Sequence, residues 1–227
     1  HISNASRTIS SVEIEACAAN GIEFIELPVA FDGISIVVNP ANDWVDTLTV
    51  NDLRRIWEPS AQGTMMRWNQ INVDWSDEEI HLFGPGVDSG TFDYFTEEIN
   101  GEAQASRSDY TASTDDNVLV NGVSGDKYAL GYFGYAYYKE NQDKIKLVSI
   151  DAGNGCVAPN TDTIKDGSYS PLSRPLFIYV SVSSYASKPQ VKAFVDFYMD
   201  HGSKLTSEVG YISAVSSVYV DNKAMLK

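Results

Sequence analysis

Three glycines, two hydroxyl side chains and an aspartate crowd into one short stretch, Gly84-Pro85-Gly86-Val87-Asp88-Ser89-Gly90-Thr91. The chemistry such a stretch supports is the holding of an anion. Its glycines let the backbone turn sharply and approach a ligand closely. Asp88, Ser89 and Thr91 are each able to cap the start of a helix. A helix beginning here presents unpaired backbone N–H groups, the positive end of its dipole, and the Ser89 and Thr91 hydroxyls. Tetrahedral oxyanions are the natural ligands for that combination. The same residues also suit an ordinary capped helix after a loop, because a lone Gly/Ser/Thr turn is a weak motif. A catalytic reading, a phosphate-ester hydrolase (phosphatase) with Ser89 as nucleophile, asks for a base beside the serine or a metal pair. No His partner or carboxylate-metal cluster answers that demand, and His1, His81 and His201 are scattered, so no metal site is expected.

The elements that must position this stretch are a strand before it and a helix after it. Ile80, Leu82 and Phe83 suit a buried strand end, and Phe92, Phe95 and Ile99 recur at helical spacing. Elsewhere Ser10 or Ser11 is placed to cap a helix through Val12, Ile14, Cys17 and Ala18, stopped by Asn20-Gly21. Ala30 to Val38 is a β-branched run that Asn39-Pro40 ends. Thr49 is positioned to cap a helix from Val50 to Trp57. Residues 101–115 and 153–167 read as loops, 116–122 as a short helix, and 126–138 as a strand running toward a helix. Residues 145–150 and 174–182 read as strands. Lys188-Pro189 opens a helix with Val191, Phe194, Val195 and Tyr198 as its apolar stripe, Gly202 following its end, and a further short helix over 203–209. The tryptophans at 44, 57, 68 and 75 are read as packing residues.

Composition narrows the partners. The formal net charge of -15 opposes a nucleic-acid backbone or an anionic membrane, both of which need a basic surface. It does not exclude a small anion, since dispersed carboxylates are screened within about 10 Å at moderate salt. No apolar run approaches the roughly 20 residues of a membrane span. Cys17 and Cys156 leave a disulfide open. No cofactor is implied.

The run GPGVDSGTFDYF resembles the oxyanion-binding segment of the phosphate-binding proteins that serve ABC importers. Other stretches agree in the family's order: Ile2-Ser3-Asn4-Ala5-Ser6-Arg7, Asp32-Gly33-Ile34 with Asn39-Pro40, Leu130 to Tyr138, and Pro171-Leu172-Ser173-Arg174-Pro175-Leu176. The resemblance implies an α/β, type II periplasmic-binding-protein fold of two lobes joined by a hinge. It assigns residues 1–38 and 170–227 to the first lobe and 39–169 to the second. Such proteins carry an earlier segment with a first strand and a Gly-Ser-Ser/Thr turn, so the first lobe is expected to be incomplete, with His1 where the family has Asp.

The implied function is extracytoplasmic capture of inorganic phosphate by a monomer, at the cell surface or in the periplasm, for the membrane permease of an ABC importer. Another oxyanion is the alternative ligand. The implied ligands are Asp88, Ser89, Gly90 and Thr91 from one lobe and Ser6 and Arg7 from the other. Better-known relatives carry an Arg inside the Ser-Gly-Thr loop, where this chain has Pro85 and Gly86; Arg7 is the family-consistent replacement. Asp88 is the carboxylate left to accept the proton that distinguishes phosphate from sulfate.

Overall fold

Residues 1–227 are described by a computed structural model, in which the chain forms two compact units. The first unit comprises His1–Asp32 and Arg174–Lys227, and the second Gly33–Ser173. The chain thus crosses between units at 32/33 and 173/174, where the sequence expectation put 38/39 and 169/170. In order, the elements are β1 (Ile2–Ala5), α1 (Ser11–Ala19), β2 (Phe24–Val38), β3 (Thr47–Thr49), α2 (Val50–Trp57) and β4 (His81–Pro85). There follow α3 (Gly90–Asn100), β5 (Thr111–Ser113), α4 (Asp116–Gly125), β6 (Ala129–Gly134), α5 (Tyr135–Glu140), β7 (Lys146–Asp151), β8 (Cys156–Val157) and α6 (Thr161–Lys165). The chain ends with β9 (Ser173–Ser181), α7 (Val182–Ser187), α8 (Pro189–Glu208), β10 (Ile212–Ser213) and α9 (Ser216–Met225).

In the first unit β9 lies between β1 and the first half of β2. β1 runs antiparallel to β9 with Ile2 opposite Val180 and Ala5 opposite Phe177. β10 adds to β2 with Ile212 opposite Phe31. The sheet is covered by α8 and α9: Leu27, Val29, Ile178 and Val180 bury against Val191, Val195, Met199 and Tyr219. α1 is capped by Ser10 in a reciprocal capping box with Glu13, yet none of its residues is fully buried. It is held by its cap, with Val12 and Ile14 left exposed.

The second unit is built on the other half of β2, which Ile36 centres between β6 and β7, both antiparallel to it. β4 runs parallel to β6 and to β5, and α3 and α4 connect these three strands. Parallel strands need such crossovers, and the helix starts then open at the carboxyl ends of the strands. Apolar side chains of β2, β6 and α4 (Val37, Phe133, Leu119, Val123) close one core. An aromatic nest closes another: Phe95 stacks on Tyr132 at 3.9 Å, and Trp57 meets Phe95, Tyr110 and Tyr132 edge-on. Trp44, Trp68 and Trp75 also pack edge-to-face. α2 begins under Thr49 with a capping box to Asp52.

Three stretches differ from the sequence expectation. Residues 101–115 are not only a loop: β5 extends the sheet, and Arg107 is buried, donating to Asp109 and to the Ile56 and Met65 carbonyls. Residues 153–167 contain β8 and α6, which Asn160 caps. α8 continues through Gly202 to Glu208. Gly202 ends nothing there; a Cβ on it would lie 2.8 Å from the Tyr219 ring, so its bare backbone is what admits that ring. The buried stripe accordingly runs Val191, Val195, Met199, Gly202, Thr206, while Phe194 is exposed.

Candidate functional site

β4 delivers the glycine-rich turn to the carboxyl edge of its sheet. Gly84 is required there for packing, because a Cβ would meet Tyr132 at 2.8 Å. Gly86 donates its N–H to Ser113 O (3.2 Å) and accepts from the Ser89 N–H (3.0 Å), which closes the turn. Of the three candidate caps, Ser89 is the one used: its backbone is extended and its Oγ accepts the Thr91 N–H at 3.2 Å. The Asp93 N–H reaches Ser89 O at 3.1 Å as the first helical bond. Asp88 is exposed and is not the cap. Gly90, the first helical residue, has open space where a Cβ would stand. The amides of Gly90 and Phe92 therefore remain as the unpaired donors that every helix start carries.

The neighbouring helix start is different. β5 pairs with β4 through Pro85 and Ser113, so α4 opens beside α3. Its cap is a carboxylate, Asp115, whose Oδ1 accepts the Asn117 N–H at 3.0 Å. Asp116 follows, its carboxyl pushed up to about 6 by burial and then by the Asp115 charge. α4 thus spends its dipole on its own carboxylates. α3 differs in being capped by a neutral serine, so the carboxylate near its start stands inside the first turn and not at the cap. Asp93 in the first turn of α3 has an Oδ1 that is buried and without a hydrogen-bond partner.

In the first unit, β1 ends at Ala5 and Ser6 and Arg7 follow. The two side chains go to different partners. Arg7 donates from Nη1 and Nη2 to the two Glu13 oxygens at 2.9 and 3.0 Å, and from Nη1 to Thr8 O. Those bonds, with the Ser10 N–H and hydroxyl, hold the Glu13 carboxyl down at about 2. Ser6 Oγ instead accepts from Arg174 Nη1 at 3.1 Å, while Arg174 Nη2 donates to Asp32 at 3.2 Å. Tyr179 pins the same loop, accepting the Ile9 N–H at 2.8 Å. His1, where the family resemblance expects Asp, bonds Ser184 and Lys188.

Sequence reasoning did not single out Arg174, Asp32, Glu13 or Tyr179. A signal existed for two of them, since Asp32-Gly33 and Arg174-Pro175 stand in stretches already tied to the resemblance. Glu13 is readable as the third residue of a capping box after Ser10. No His or carboxylate bonds Ser89 Oγ, and no cluster of three or more His, Cys, Asp or Glu residues that could hold a metal ion occurs among the described residues. Cys17 and Cys156 are free thiols. No helix is long and apolar enough to cross a membrane.

Comparison with known proteins bears on the family of the chain. The family model described as a PBP superfamily domain matches residues 1–201. Protein SphX of Synechocystis sp. is 48% identical over 218 residues, which cover 96% of this chain and 65% of that protein. The chain therefore spans just under two thirds of that relative's length. Phosphate-binding protein PstS of Staphylococcus haemolyticus is 35% identical over 99% of this chain and 69% of its own length. The crystal structure of a possible phosphate binding protein from Planctomyces limnophilus superposes with a TM-score of 0.90 at 46% identity, covering 99% of this chain and 79% of that one.

Proposed function

We propose a function from one premise: the chain belongs to the PBP superfamily, as a PstS-like phosphate-binding-protein relative. It binds inorganic phosphate outside the cytoplasm, as a monomer, and hands it to the membrane permease of an ABC importer, without catalysis. The observation that carries this reading is the start of α3, with its neutral Ser89 cap and the open approach to Gly90. Gly90, Thr91 and Ser89 donate to phosphate oxygens in this proposal, and Ser6 and Arg7 add a hydroxyl and a guanidinium. Arg7 is preset by Glu13, which orients the fork while offsetting part of its charge. Asp88, exposed at the turn, is the carboxylate proposed to meet a protonated phosphate oxygen.

A phosphatase reading lacks its central part, because the Ser89 hydroxyl caps a helix and has no base bonded to it. Titration calorimetry with phosphate, then sulfate, tests the proposal. Saturable heat with phosphate and little with sulfate is the expected result. Heat with sulfate alone would make the ligand another oxyanion, and no heat with either anion from a folded sample would overturn the reading.

A further inference from the structure

A serine hydroxyl has one hydrogen to donate and two lone pairs to accept with. A guanidinium only donates. Where Arg174 Nη1 gives its hydrogen to Ser6 Oγ, the Ser6 O–H is turned away from Arg174 and becomes a donor for something else. Arg174 is itself held. Its Nη2 bonds Asp32, and both side chains are largely buried, at 13% and 14% exposure, so the fork is fixed in plane. The Asp32 charge also offsets that of Arg174, so the arginine's influence on a ligand passes through the Ser6 hydroxyl more than through long-range attraction. The three groups come from separate parts of the chain. Ser6 follows β1, Asp32 is the last residue before the chain leaves the first unit, and Arg174 is the first residue after it returns.

We propose that Arg174 is a positioning residue for anion binding: braced by Asp32, it fills one lone pair of the Ser6 hydroxyl and turns the Ser6 O–H toward an oxygen of the oxyanion as a donor. This rests on the reading of Ser6 as a phosphate ligand. It deepens that reading by naming the group that orients the Ser6 hydroxyl.

A double-mutant cycle on phosphate affinity tests this, with Ser6→Ala, Arg174→Met and the pair, each checked for folding by circular dichroism. A charge-assisted hydrogen bond to a ligand carries about a tenfold affinity effect or more. Each single substitution is expected to weaken binding by about that factor, and the double to be no worse than the weaker single, because Arg174 acts only through Ser6. Where Arg174→Met does not fold, the charge-neutral Arg174→Met/Asp32→Asn takes its place. Losses that multiply in the double mutant would overturn the proposal, as would unchanged binding in Arg174→Met. Phosphate binding left intact by Ser6→Ala would remove Ser6 from the ligand set and the proposal with it. Absence of binding by the unaltered chain would sink the phosphate reading itself, which separates the two failures.

Discussion

Tyr179 donates its phenolic hydrogen to Glu26 at 2.8 Å and accepts the Ile9 N–H at the same distance. One hydroxyl on β9 thus fixes the loop that carries Ser6 and Arg7. Burial, and then the bond to Glu26, push the Tyr179 hydroxyl up to about 12. Tyr179→Phe keeps the ring against Phe24 but leaves the Ile9 N–H without its acceptor. We expect a loss of about 1–2 kcal/mol in urea unfolding. Faster phosphate dissociation should accompany it.

Arg7 and Glu13 predict an acid-resistant pair. A carboxyl depressed to about 2 from 4.5 contributes stability above its unfolded value and loses it as pH falls through about 2. The pair is exposed, so its share of stability is small. The sharper reading is local: side-chain NMR should show Glu13 still ionised at pH 3. Glu13→Gln should weaken phosphate binding several-fold while barely moving the melting temperature.

Asp116 works in the opposite direction. Its carboxyl is raised to about 6, so the folded state is relatively favoured as pH falls through 6 toward 4 and is relatively penalised above 6. Asp116→Asn should raise the melting temperature at pH 7.5 and leave it nearly unchanged at pH 4. Equal shifts at both pH values would mean that charge is not the cause.

Two glycines separate packing from function. Gly202→Ala places a methyl 2.8 Å from Tyr219, a buried ring. Overpacking costs about 1–3 kcal/mol, which exceeds the roughly 1 kcal/mol that alanine returns within a helix. Net destabilisation is expected in thermal melts. Gly90→Ala meets nothing within 4 Å, so the fold should be unharmed or slightly stabilised. Phosphate affinity should nonetheless fall, since the methyl stands beside the proposed donors.

What was legible in the sequence is short in range. Ser10, Thr49 and Ser89 cap helices through bonds to amides two or three residues away, so the turn at 84–91 and the start of α3 could be read directly. The same locality misled at Gly202. A glycine near a helix's expected end resembles a stop, but the deciding contact is Tyr219, seventeen positions away. Arg107 was hidden for a similar reason: its partners include Ile56 and Met65, while its neighbours in sequence are polar.

The amino-acid sequence by itself determined the glycine-rich turn and the serine-capped start of α3, because capping and turn geometry depend on a few consecutive residues. Tertiary structure decided how the other candidate ligands are held. Arg174 stands 168 positions from Ser6, and Tyr179 170 from Ile9. Only the register of β1 on β9, Ala5 opposite Phe177, brings them together. That register follows from which side chains the whole sheet buries, and a hydrogen bond of about 3 Å carries no trace of itself along the chain between its partners.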